Sequence, residues 1–353
     1  MKKIILCLLV LLICEFCITT YACNFFSSKN IKKQGSLNFE ILPTMSSISS
    51  ARNQVWVGTF QLVWNDLIDE FIKSPVEFVG YKSDIANDLN KREFNVNDLS
   101  DSAYYKKWGA MSPELKKEIE RGIKEKFNET SDILNRFNWA PAKGKYLLYA
   151  MLKKDFEYIE KFNKLPDGHF VGSAGEVKFF GLEKDSTYAQ RNSIQVMFYN
   201  NPKDFAVLLK SKQGDLVYLY RTDDDKTMEE YYKNILEKEE HYSGSKYFNE
   251  KDRFKAPILD FKSERTFDEL CNRPIKNSDY IISEAIETVQ FKMDEAGVKL
   301  KSEAAIAIRK IASVDKTVPR YFYFDNKYII FVSEQDKKPY FGMKITDAKS
   351  LQK

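Results

Sequence analysis

Only two histidines, His169 and His241, stand in the 353 residues. Neither sits in a His-x-x-x-His or Cys-x-x-Cys spacing that would bring zinc ligands onto one face. His169 follows Asp167 and Gly168 and reads as a turn residue. Asp223, Asp224 and Asp225 could attract calcium, but the stretch lacks the glycine and the twelfth-position glutamate of a calcium-binding hand. It reads as the solvated start of a helix. Ser173 lies in Gly172-Ser173-Ala174-Gly175, yet the glycine that a nucleophile elbow needs two residues earlier is Val171. Ser243 and Lys246 have Ser-x-x-Lys spacing, but that serine should begin a buried helix and this one stands in a polar run. The partner motif Lys-Thr-Gly is replaced by Lys316-Thr317-Val318. No glycine-rich phosphate cradle is present. The expectation is a protein that is not an enzyme and holds no metal or cofactor.

A different pattern occupies residues 298–308. Val298, Leu300, Ser302, Ala304, Ile306 and Ile308 are apolar or small, and they alternate with Lys299, Lys301, Glu303, Ala305 and Ala307. A period of two marks a strand with one buried face. Upstream, Val289, Phe291 and Met293 alternate with Gln290 and Lys292, and Asp294 to Gly297 reads as a turn. Two readings fit. The segment is a fixed strand of a hairpin, or it alternates between exposed loop and inserted strand.

The elements around it follow from periodicity and turn chemistry. Val55 to Phe71 places apolar residues at helical intervals. Ser112-Pro113-Glu114 is a helix start, with Leu115, Ile119, Ile123 and Phe127 four apart along one stripe. Asp132 to Trp139 should end that helical region. Strands are predicted at 146–152, continuing into 155–162, and at 177–180, 194–199 and 256–261. Residues 205–210 and 216–220 form a hairpin around Lys212 to Asp215. Thr227 to Leu236 is a helix and Thr266 to Cys271 a helical turn. Phe322, Phe324, Ile329, Phe331, Phe341 and Met343 are the expected core side of the closing strands, whose hairpin tip is Glu334 to Lys338.

With 43% hydrophobic and 14% aromatic residues the chain can bury a sizeable core. Its net charge of +4, with both signs interspersed, gives no footprint for nucleic acid. Residues 1–22 read as a signal peptide: Lys2 and Lys3, then the apolar run Ile4 to Ile13, interrupted by Glu15. Ala22-Cys23 resembles a bacterial lipoprotein cleavage site, so Cys23 is the expected lipidation residue and the protein an extracytoplasmic, membrane-anchored one. The alternatives are plain secretion and an uncleaved anchor. Residues 23–50 are read as a tether and 51–353 as a single domain. Of five cysteines, Cys7, Cys14 and Cys17 lie in the leader and Cys23 at its edge. Cys271 alone remains in the body, so no disulfide framework is expected.

The last quarter, Glu284 to Ile345, resembles the C-terminal signature of the serpins, as in a divergent bacterial member. Thr288 to Met293 is similar to the family's core strand, and Asp294-Glu295-Ala296-Gly297 to its acidic hinge. Lys301 to Ile308 is similar to its small-residue reactive loop. Arg320 to Val332 and Lys338 to Ile345 resemble its closing strands. Leu147 to Phe156 and Ile194 to Val207 extend the likeness weakly. The family's N-terminal Ser-Pro-x-Ser is absent, and Lys327 stands where proline is usual. The resemblance implies a mixed α+β fold with several largely antiparallel sheets and an N-terminal helical region. It also implies a monomeric inhibitor whose bait loop, around 298–319, engages a trypsin-like peptidase. Hinge candidates are Glu295 and Gly297 in one register, and Ser302, Ala304 and Ala305 in the other, where Lys301 replaces the hinge glycine. Scissile-bond candidates are Arg309, Lys310 and Lys316. A non-inhibitory binding or envelope-structural lipoprotein on the same scaffold is the competing expectation.

Overall fold

The computed structural model describes residues 38–141, 143–298 and 318–352. Strands β1 (Phe39–Leu42) and β2 (Asn53–Val57) pair in parallel. Residues 39–42, which the sequence places in the tether, are therefore part of a sheet. Their short apolar run is hard to see beside its polar surroundings. Helix α1 (Thr59–Asp66) follows and widens into a π-type turn over Leu67–Ile72. The helix predicted from Val55 thus begins later, because Gln54 to Val57 pair with the last strand of the chain.

Ser83 caps the short helix α2 (Asp84–Leu89). Strand β3 (Tyr104–Ala110) leads into α3 (Pro113–Phe127), which begins as its sequence demands: the Ser112 hydroxyl accepts the Leu115 N–H at 3.2 Å. Leu115, Ile119 and Ile123 pack onto Leu147 and Tyr149 of β4 (Tyr146–Leu152) in a small core of their own. Among its described residues, only a 3-10 turn at Leu134–Arg136 interrupts the connector from α3 to β4.

Beyond β4 come β5 (Phe156–Glu157), β6 (Asn163–Gly168) and β7 (Val177–Leu182). The short helix α4 (Tyr188–Asn192) precedes a meander of β8 (Ile194–Asn201), β9 (Asp204–Lys210) and β10 (Asp215–Arg221). Helix α5 (Met228–Glu240) starts at a capping box made by Thr227 and Glu230. The strand expected over 256–261 is two, β11 (Arg253–Pro257) and β12 (Leu259–Thr266), which join different sheets. Next are β13 (Ile286–Met293) and β14 (Gly297–Val298). The chain closes with β15 (Tyr321–Tyr323), β16 (Tyr328–Glu334) and β17 (Pro339–Ile345).

The largest sheet has seven strands in the order β1-β2-β17-β16-β10-β9-β8. A four-stranded sheet runs β15-β11-β7-β6, and among the described residues three ribbons stand beside these sheets: β12-β13, β14-β5 and β3-β4. The fold is mixed α+β, with most strand pairs antiparallel. All six residues expected in the closing core are buried. They do not share a face, however. Phe331 stands opposite Gly342, whereas Phe341 stands opposite Val332, so the two phenylalanines point to opposite sides of the sheet. Phe331 meets Tyr232 of α5 at 5.3 Å between ring centroids, and Phe341 stacks on Phe291 of β13 at 4.4 Å. A sheet covered on both faces loses the alternation that would assign sides.

Candidate functional site

Two ribbon edges define the site. Among the described residues β4 pairs only with β3, and β13 only with β12, so each presents one edge without a strand partner. Both rest on α1: β4 packs along it, and the Glu287 side chain of β13 reaches the Phe60 amide in its first turn.

The hinge residues lie at the head of this seam. Asp294 follows β13, and its carboxylate accepts the Ala296 N–H at 2.9 Å. The Asp294 N–H then donates to Gly297 O at 3.2 Å, which reverses the chain. Gly297 and Val298 pair antiparallel with Glu157 and Phe156. The reversal means that β13 and β5 run in the same direction, with β14 running back against β5. Gly297 has a φ of +137°, and a Cβ there would lie 2.6 Å from the Phe156 carbonyl oxygen. Glycine is required twice over, for the backbone angle and for the close approach.

A clamp holds the turn. Tyr158 N–H donates to Ala296 O at 3.1 Å and Phe162 N–H to Glu295 O at 2.9 Å. The Glu295 carboxylate is buried, with the exposed Lys161 and Lys164 ammonium groups each 3.5 Å away. From the far side the β9–β10 hairpin fixes the same segment: Ile159 N–H bonds Lys210 O, and Lys212 N–H bonds Glu157 O. Lys154, in the link between β4 and β5, bridges Asp215 at 3.0 Å and Glu334 at 2.5 Å. Burial works to raise the Glu334 carboxyl, but the Lys154 ammonium and two donors from Ser100 hold it down at about 2.

The seam is also spanned from above and below. After α3 the connector reaches across to β12, where Asp132 pairs with Lys262 at 2.7 Å and Arg136 with Glu264 through two contacts. At the other end Phe71, Trp108, Tyr146 and Tyr280 meet edge to face, tying the start of β4 to the segment before β13.

Of the predicted site residues, Glu295 and Gly297 come together in this hinge. Ser302, Ala304, Ala305, Arg309, Lys310, Lys316 and Cys23 lie outside the described residues. The residues considered for catalysis are not brought together. Ser173 donates to Asp347 at 2.9 Å, and Lys246 pairs with Glu239 at 3.2 Å. His241 contacts the Glu237 carbonyl at 2.7 Å. Asp223 and Asp225 pair with Arg221 and Lys344. No cluster suited to a metal ion occurs among the described residues, and no helix among them is long and apolar enough to cross a membrane. Cys271 is half-buried, and burial pushes its thiol up to about 11, away from nucleophilic use. Sequence reasoning missed the 156–162 clamp, which carries no motif, and Glu287. The period of two that places Val289, Phe291 and Met293 inside places Glu287 inside as well.

No protein-family model matches the chain, and no curated protein matches it. Solved structures do. Thyroxine-binding globulin, in complex with thyroxine, is 10% identical over 67% of this chain and 65% of its own, with a TM-score of 0.43. Serpin48 of the insect Tenebrio molitor is 13% identical, covering 83% of this chain and 74% of its own, with a TM-score of 0.41. Tengpin, a thermophilic serpin in its native state, is 13% identical over 67% and 64%, with a TM-score of 0.45. This chain thus spans just under two thirds of the first and third of these proteins. The second and third of these are described as serpins.

Proposed function

We propose that this is an exported, lipid-anchored inhibitor of a trypsin-like peptidase that works by conformational change rather than turnover. The observation that carries the reading is the hinge. Gly297 and Val298 already hold strand pairing on β5, at the head of a seam whose two edges have no other strand among the described residues. A strand continuing from Val298 would run antiparallel to both β4 and β13 and would satisfy backbone groups on both sides. The alternation of residues 298–308 supplies such a strand with one apolar or small face. Cleavage after Arg309, Lys310 or Lys316 would release it from the closing strands. Burying several of those side chains would favour the inserted state at roughly 25 cal/mol per Å² of apolar surface.

The test has two parts on one sample. Incubation with trypsin should yield a covalent complex that survives denaturing electrophoresis, together with a nicked form whose melting temperature is far above that of the intact protein. Fragments alone, with undiminished peptidase activity and an unchanged melting temperature, would reject the inhibitor and favour a non-inhibitory binding scaffold.

A further inference from the structure

Glu287 is the one carboxylate on the buried face of β13, and it is 4% exposed. Neither of its oxygens has a hydrogen-bond partner of normal geometry. Two groups ease a charge there: the Phe60 N–H at the start of α1, whose first turn carries no acid, and the Arg265 guanidinium. Arg265 stands directly opposite Glu287 in the β12–β13 register, so the two side chains leave the ribbon on the same face. Arg265 nevertheless points elsewhere. It donates to Glu40 at 2.6 Å and to Ile41 O at 2.7 Å, both on β1, and to Glu269 beyond β12 at 2.6 Å. Its guanidinium stacks over Phe267 at 4.7 Å. Glu40 in turn accepts from Ser49. One cation is therefore held by two carboxyls, and the third and most deeply enclosed one is left without it.

That arrangement holds only while Glu287 is neutral. A charge enclosed without a partner is far more costly than one at the surface, and burial pushes this carboxyl up to about 8. On ionisation, the nearest cation able to compensate it is Arg265. We propose that Arg265 is a proton-gated clasp: it holds β1 onto β12 while Glu287 is protonated, and swings to Glu287 when that proton leaves for solvent. The clasp couples β1 to the strand that edges the seam. It stands whether or not the protein inhibits a peptidase.

Hydrogen exchange of the full chain tests it, read as protection factors for residues 39–42 after correction for intrinsic rates. In the wild type, protection should fall at least tenfold between pH 7 and pH 9.5. Glu287→Gln, which keeps the shape of the neutral acid, should hold β1 protected across that range. Glu40→Gln should weaken protection already at pH 7, because Arg265 then loses its main partner on β1. A flat wild-type profile, or a Glu287→Gln profile that falls as the wild type does, overturns the clasp. A Glu40→Gln variant with undiminished protection does so too.

Discussion

The Phe156 carbonyl oxygen lies so close to Gly297 that any side-chain carbon there would sit 2.6 Å from it. Contacts under 3 Å at this position cannot be relieved by a rotamer change, since the opposing atoms are backbone. Gly297→Ala should therefore lift β14 from β5 while leaving β13 in place. Hydrogen exchange at Tyr158, whose N–H bonds the hinge, should accelerate by at least tenfold, with a loss of overall stability on the order of 1–3 kcal/mol from backbone strain. Unchanged exchange at Tyr158 would mean that the hinge pairing does not depend on the missing Cβ.

Phe331 offers the plainest test of the core. It is fully buried, faces Tyr232 of α5, and fills the space left by the absent side chain of Gly342, where a Cβ would come within 3.0 Å of its ring. Phe331→Ala should cost about 3–5 kcal/mol in urea denaturation. A cost below about 1 kcal/mol is the value of an exposed ring and would contradict the packing described.

What was legible in the sequence was what is local. The start of α3 is written in Ser112, Pro113 and the spacing of Leu115, Ile119 and Ile123, and the structure reproduces it because cap and stripe agree. The hairpin of β9 and β10 was readable from its turn. The pairing of Gly297 with Glu157 was not, because the two residues are far apart in the chain and nothing in 155–162 announces a partner. The strand β1 was missed for a related reason. Its four residues are stabilised by β2 and by Arg265, contacts that no local pattern encodes. Phe331 and Phe341 were assigned one face because alternation is uninformative in strands buried on both sides.

The response of stability to rising pH should carry the mark of Glu287. Burial pushes its carboxyl up to about 8 in the folded chain, against about 4.3 in an unfolded one. Between those values the folded state binds a proton that the unfolded state lacks, so stability falls as pH rises and levels off above 8. Glu287→Gln removes this component. The stability of the wild type relative to the variant should drop by on the order of 3–5 kcal/mol between pH 4.5 and pH 8. Parallel denaturation curves at both pH values would show that Glu287 does not titrate in this window.

The anchor is tested separately from the fold. If Cys23 becomes the acylated first residue of the mature protein, two or three acyl chains give stable membrane attachment where one is marginal. Cys23→Ser should move the protein from the membrane fraction to the soluble one, with the melting temperature of a delipidated sample unchanged. A wild-type protein already soluble, with no lipid by mass spectrometry, would reject the anchor and leave plain secretion.

The connector between α3 and β4 should act as a latch across the seam. Asp132–Lys262 and Arg136–Glu264 join it to β12, while α3 itself packs on the β3–β4 ribbon. A strand inserted between β4 and β13 would push those ribbons apart, so both ion pairs must stretch or break. All four side chains are partly exposed, and such pairs contribute about 0–1 kcal/mol each to equilibrium stability. The double variant Asp132→Ala with Arg136→Ala should therefore melt within a few degrees of the wild type. If nicking with trypsin lets the proposed strand insert, the double variant should reach the raised melting temperature several-fold faster, since the barrier to separating the ribbons is lower. An unchanged rate would show that the connector lies across the seam without restraining it. A large loss of stability in the intact variant would make it part of the core packing instead.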